Sequence, residues 1–295
     1  HFSCRRGPVG GCPGGPGLGP PRPLMAPWPL SVHWSHQVTG WVGLHLLGNR
    51  LAWWALSKSS PNFKSLSDAT QEGAACRVVS SVHALAATAL SAWMLLTEDL
   101  AAKPMYAQSA VMPSLINFSV GYMLADLANE TRCWLRGINY DVDLLSVIHH
   151  VFVIGTGALY HCAEPTMYNY VVALGLATEV STPLVNARWF AVELKHGSAM
   201  YQNGLGFLMM AVFATMRVPL CITALGSGYA NRDVIAGSIA AGGVGAAYSC
   251  YVWLSVSGLS ALNGYWFSLM ARGAIDAVRG APAMLSDGTR PKKES

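Results

Sequence analysis

Residues 141–163 read DVDLLSVIHHVFVIGTGALYHCA. After its acidic start the stretch stays apolar for about twenty residues, the length an α-helix needs to cross the hydrocarbon core of a bilayer. Two adjacent histidines, His149 and His150, stand near its middle. Imidazoles at that depth are costly unless each finds a polar partner, so such pairs usually face a bundle interior or a cavity. At helical spacing Asp143, His150 and Gly157 share one stripe, and Ser146 lies one turn before His150. His149 is turned by about 100° and points to a different neighbour. One histidine can therefore serve a cavity while the other anchors it, and the spacing does not say which. The plainer alternative is two histidines that hydrogen-bond to adjacent helices.

The rest of the chain suits such a setting. About half of its residues are apolar and 12% are charged, against about one quarter charged in an ordinary soluble domain. Mean hydropathy is positive, and there are ten tryptophans. The net charge of +4 is too small and too dispersed to suggest a nucleic-acid partner. The seven cysteines form no CxxC or other zinc spacing, so they read as small apolar residues and no metal site is expected.

Moving outward from the double histidine, further apolar stretches occupy about 32–56, 77–97, 107–128, 167–190, 199–225 and 236–271. The fold class expected is all-α, a polytopic membrane protein of about seven transmembrane helices. The last stretch is long. It reads as one tilted span with a loosely packed Gly-rich beginning, GSIAAGGVGAAY, although two shorter spans also fit. Arg50, beside Trp53 and Trp54, reads as a snorkelling interfacial anchor. Pro113 falls inside the third stretch, where neighbouring helices would satisfy the carbonyl it frees.

Several polar residues interrupt these spans. His83 is either a packed histidine or a ligand contact. Tyr122 and Asp126 lie one turn apart, with Asp126 either at the interface or in a cavity. Glu179, Pro183 and Asn186 fall at i, i+4 and i+7, a polar stripe on an apolar helix. An unpaired glutamate there costs about 2.5–3.5 kcal/mol, which makes Glu179 the best carboxylate partner for the histidines. Pro183 is expected to kink its helix and open carbonyls beside Glu179. Arg217 lies deep, either snorkelling or acting as the counter-charge of Glu179.

Four segments are expected: a Gly/Pro-rich tail over 1–30, a first helix and linker over 31–64, a six-helix membrane domain over 65–273, and a basic polar tail over 274–295. The chain begins at His1, with Met25 a candidate start. Loops 57–76, 128–142 and 188–198 fall on the same side as the C-terminal tail and hold most of the Lys and Arg. That side is expected to face the cytosol or an organelle matrix. Lys292, Lys293, Glu294 and Ser295 fit a dilysine retrieval signal and favour the endoplasmic reticulum. The acid-free, Arg-bearing beginning favours the mitochondrial inner membrane instead.

Five pieces in order resemble the TLC-domain family, the membrane domain of ceramide synthases and several lipid-related proteins. They are RVVSSVHA at 77–84, GYMLADL at 121–127, the His149–His150 pair, EVSTPLVNARW at 179–189 and LNGYWF at 262–267. The resemblance covers about residues 65–273. It implies six helices ringing a lipid-facing cavity with the double histidine inside, and one added helix before them. In ceramide synthases the histidine pair belongs to the site of acyl transfer from acyl-CoA. The chain departs from that signature after His150 and carries Glu179 with Ser181, Thr182 and Pro183 where later acidic residues are expected. It is therefore closer to the branch that does not make ceramide.

The expected function is to act on or bind membrane lipids. His149, His150 and Glu179 are the candidate catalytic residues. His83, Tyr122, Asp126, Asp143, Asn186 and Arg217 are the candidate substrate contacts. No cofactor is expected, with acyl-CoA the candidate co-substrate. The alternative is a non-catalytic lipid-binding subunit of a larger membrane assembly, whose partner subunits would cover the N-terminal tail. A transporter ranks last, because no inverted repeat is visible.

Overall fold

The computed structural model describes residues 30–138, 144–163 and 167–279, and these form helices with no strand. Four long helices come first: α1 (Leu30–Ser59), α2 (Asp68–Thr97), α3 (Met112–Leu135) and α4 (Leu144–Cys162). Next come α5 (Asn169–Ala177) and α6 (Thr182–Glu193), two halves of one rod joined by a 3₁₀ turn over Thr178–Ser181. A second interrupted rod pairs α7 (Ala199–Val212) with α8 (Val218–Ala230) through a π-helical turn over Phe213–Arg217. A short α9 (Arg232–Ala240) leads into α10 (Gly243–Val278).

Asp68–Thr97, Leu144–Cys162 and the continuous rod Ala199–Ala230 are each long and apolar enough to cross a membrane. The other long segments run alongside them, and the outer surface is studded with exposed Leu47, Leu51, Leu85, Leu96 and Ile222. In water such a surface would drive association; against acyl chains it is a solvated face. The protein is thus an all-α polytopic membrane protein.

Helix contacts close a ring in the order α2, α3, α4, α10, α7–α8, α5–α6 and back to α2. Helix α1 stands outside it, packed on α3 and α2. Gly121 lets α1 and α3 cross at backbone contact, since a Cβ there would overlap the Cβ of Trp41. Gly157 on α4 makes room for the Val120 side chain of α3, where a Cβ would overlap its Cγ2.

Three expectations change. The final stretch is not one span from 236. Gly242 and Gly243, at φ +77° and +67°, end α9 and restart the chain as α10. With nine residues α9 is only ~14 Å long and cannot cross a bilayer. Pro113 does not interrupt a span, because α3 starts at Met112 and places it in the first turn, where a missing N–H leaves no bond unmade. Nor does Arg50 snorkel. Its guanidinium meets both carboxylate oxygens of Glu72 at 3.3 Å and lies 3.4 Å from Asn129 Oδ1. Arg132 donates to the same two residues at 2.7 Å, so one polar knot ties α1, α2 and α3 at the end where the 60–67 linker lies.

Candidate functional site

The two interrupted rods face each other, and their irregular turns build the centre of the site. In the 3₁₀ turn the Thr182 N–H bonds to the Glu179 carbonyl, three residues back, and not to the Thr178 carbonyl as an α-helix would have it. Pro183, in the first turn of α6, has no N–H with which to restore regular bonding. Arg217 Nε, arriving from the π turn, donates to that Thr178 carbonyl. Its Nη2 lies 3.5 Å from Glu179 Oε1, and the guanidinium lies over the Phe213 ring. Thr182 Oγ1 donates to Glu179 Oε2 at 2.7 Å. Glu179 and Arg217 are both buried, so each supplies the counter-charge the other needs. Arg217 is a buried partner, not a snorkelling anchor.

The two histidines have separate partners. His150 Nδ1 lies 2.6 Å from the Ser146 carbonyl, one turn back on its own helix. Its Nε2 lies 3.0 Å from Asp126 Oδ2 on α3. With an oxygen at each ring nitrogen, His150 is held in one orientation. His149 Nε2 lies 3.8 Å from Glu179 Oε1, within ion-pair range but beyond a hydrogen bond. Its ring is perpendicular to that of His150, and Trp266 of α10 stands near it. Asp126, not Glu179, is therefore the carboxylate of His150.

A cavity of about 570 Å³ collects these groups. Tyr122, Asp126, His149 and His150 line it from α3 and α4. Glu179, Asn186 and Arg217 line it from the interrupted rods. A smaller chamber of about 100 Å³ adjoins it, walled by Ile116, Val120, Val153, Leu174, Val252 and Leu259. Met123, His149, Glu179 and Arg217 line both chambers. The polar chamber lies in the half of the ring nearer the basic loops. The apolar chamber lies deeper along the same axis.

His83 lines neither chamber. It sits behind Tyr122, stacked on that ring at 4.2 Å, with Nε2 3.2 Å from Ser119 Oγ. This is a packed histidine that fixes the tyrosine, not a contact to a cavity occupant. Asp143 lies outside the described residues. Asn186 accepts from Arg77 Nη1 and donates to the Arg77 carbonyl and Ser81 Oγ, so it clamps α6 to α2 while forming part of the wall.

Several lining groups were not singled out from the sequence. Thr182 and Trp189 share a face of α6 with the expected Asn186, four residues before it and three after, and all three line the polar chamber, a period that was available to find them. Arg188 and Trp266 line the same chamber.

A family model described as the TLC domain matches residues 74–272, about two thirds of the chain. The chain belongs to the TLC-domain family. The matched interval of this TLC domain takes in the whole ring, from the first turns of α2 almost to the end of α10, and leaves α1 outside. Human TLC domain-containing protein 4 is 29% identical over 57% of this chain and 62% of its own length. TLC domain-containing protein 4-B of Xenopus laevis is 26% identical over 75% of this chain and 81% of its own. TLC domain-containing protein 4-A of the same species is 27% identical over 83% and 92%. The chain thus covers slightly less than two thirds of the human relative and most of the frog ones. These TLC proteins are named for the domain and not for ceramide synthesis, which places the chain with the non-ceramide-synthase members. No solved structure matches the chain.

Proposed function

We propose that this TLC protein takes a membrane lipid into the ring, with an apolar part in the deep chamber and a polar part in the larger one. His149 is then the imidazole that meets the lipid at the boundary. The observation that carries this reading is that His149, Glu179 and Arg217 line both chambers, where the polar and the apolar halves of an amphiphile would join. A volume of about 570 Å³ is within the range of small-molecule sites.

The chemistry this supports best is acyl transfer. As the oxygen or nitrogen of an acceptor bonds to the acyl carbon of a thioester such as acyl-CoA, its proton passes to an imidazole nitrogen of His149. The carbon–sulfur bond then breaks, and the same proton leaves on the thiol. His150, fixed between Ser146 and Asp126, positions its neighbour instead of titrating against substrate. Glu179, itself held by Arg217 and Thr182, stabilises the cation that His149 becomes. The membrane is the site of action. The choice of the endoplasmic reticulum rests on Lys292 and Lys293, which lie outside the described residues.

The test uses the full chain purified into lipid nanodiscs. Co-purifying lipids are identified by mass spectrometry, and acyl-CoA is added to look for new acylated products. Retained lipid with product formation, and retained lipid without product in His149→Ala, is the expected result. Retained lipid with no product from the wild type removes the acyl-transfer step and leaves a binding protein. A ring that retains no lipid overturns the proposal.

A further inference from the structure

The polar chamber holds more charge than the histidine centre uses. On its α2 and α6 walls stand two arginines, Arg77 and Arg188. Arg77 is built in: its Nη1 donates to Asn186 Oδ1 at 3.1 Å, and its guanidinium lies 4.6 Å over the Trp189 ring. Arg188 is different. Among the described residues no carboxylate lies within ion-pair distance of it and no acceptor takes its N–H groups, although its side chain is partly buried. It passes along α7 at Gly206, where a Cβ would meet Arg188 Nε at 3.1 Å, so the missing side chain leaves the guanidinium its lane. The chamber's other charged groups answer one another. Arg217 meets Glu179, and Asp126 meets His150. Glu130, also engaged, stands on α3, with α2 between α3 and α6 in the ring.

A guanidinium held in a partly dry chamber without an anion is an unfilled half of an ion pair. Its planar fork matches phosphate or carboxylate oxygens. The α6 end of the chamber lies beside the Lys195 loop, with Asn62 of the 60–67 linker donating to the Leu194 carbonyl. Lys64 and Lys195 stand in these loops, and basic residues at helix ends are the ones a bilayer's headgroup zone favours.

We infer that Arg188, supported by the Arg77–Asn186–Trp189 frame, is the subsite for a phosphate group on the molecule that occupies the ring. The inference rests on the proposed lipid-binding reading and narrows it: the occupant bears a phosphate near its polar end. Two molecules supply that chemistry. One is a phospholipid already in the bilayer. The other is the phosphate-bearing half of a soluble acyl thioester.

Two matched pairs of probes test the subsite on the full chain in detergent, by competition against a fluorescent lipid. Dioleoyl phosphatidic acid is compared with dioleoylglycerol, which has the same chains and no phosphate. Palmitoyl-4′-phosphopantetheine, the thioester half of palmitoyl-CoA, is compared with palmitoyl-pantetheine, the same thioester without its phosphate. We expect wild type to prefer a phosphate-bearing member by about tenfold or more, the scale of a charge-assisted hydrogen bond. Arg188→Gln should remove that preference without changing the affinity for the phosphate-free member, and Arg188→Lys should retain part of it. A preference confined to the first pair assigns the phosphate to a bilayer lipid, and one confined to the second assigns it to the thioester. If Arg188→Gln leaves both preferences intact while the phosphate-free probes still bind, the subsite is wrong and the lipid-binding reading stands. If wild type binds none of the four probes, both fall together. Elution volume and thermal unfolding show that each variant is folded. Should Arg188→Gln not fold, Arg188→Lys and Arg188→Met decide by the same ratios.

Discussion

Arg217 and Glu179 meet where both of their helical rods leave regular α geometry. A π turn delivers the guanidinium, a 3₁₀ turn delivers the carboxylate, and the Thr178 carbonyl at the start of that turn accepts from Arg217 Nε. The irregularities and the ion pair therefore depend on each other. Arg217→Gln leaves Glu179 buried without its cation and should destabilise the protein by about 3–5 kcal/mol. Glu179→Gln should cost a similar amount for the mirror reason. The double variant should cost less than the two single ones together, because no isolated charge remains. Thermal unfolding of the four proteins in one detergent measures the coupling, and simple additivity would mean that the pair is not a unit.

The two histidines should separate in opposite directions. His150 is tied to Ser146 and Asp126, so His150→Ala strands the Asp126 carboxylate beside a void and should cost about 2–4 kcal/mol of stability. His149 makes no short hydrogen bond to Glu179, and His149→Ala should cost less than half of that. Turnover or lipid exchange should respond the other way, with His149→Ala losing it while remaining folded. Paired unfolding and product assays on the two variants check this, and equal stability losses would contradict the division of labour.

Asn186 is a clamp that also forms part of the chamber wall. It joins α6 to α2 through Arg77 and Ser81. Asn186→Ala leaves the Arg77 guanidinium short of an acceptor and should lower stability by about 1–3 kcal/mol. Because the wall it braces also carries Cys76, the reaction of that buried thiol with a small maleimide should speed up in the same variant. A slower or unchanged reaction would show that the wall does not depend on the clamp.

How far the sequence reaches follows from which signals are local. Helix positions depend on runs of apolar residues, and the expected spans fall on α1, α2, α3, α4, the α5–α6 rod and the α7–α8 rod. The convergence of His149 with Glu179 and Arg217 was also legible, because a charge at bilayer depth demands a partner and few were present. Pairing was less so. Asp126 and Glu179 are both carboxylates on neighbouring spans, and only the rotation of α4 assigns one to His150 and the other to His149. The π and 3₁₀ turns have no clear local mark beyond Pro219 and Pro183, and the final span could not be trimmed because Gly242 looks like any glycine until its φ is known. Arg50 was misread for a related reason. Its acidic partner, Glu72, lies on the next helix, and tryptophan neighbours at a helix end suggest a lipid interface.

The contact that holds α1 to the ring allows a contrast between two glycines. At Gly121 a Cβ would overlap the Trp41 Cβ of α1, which is backbone-level crowding that no rotamer can relieve. Gly121→Ala should therefore push the helices apart and cost about 1–3 kcal/mol, the usual penalty of overpacking. At Gly40, on α1 itself, nothing lies within 4 Å of a built Cβ. Gly40→Ala should instead stabilise by about 0.5–1 kcal/mol, because alanine loses less backbone freedom in a helix. The same chemical change, one methyl group, is thus expected to carry opposite signs at two positions on one helix–helix interface region. Unfolding midpoints of the two variants against wild type read the signs directly. A Gly121→Ala protein as stable as wild type would mean that α1 does not rest on α3 as closely as the backbone contact at Trp41 requires.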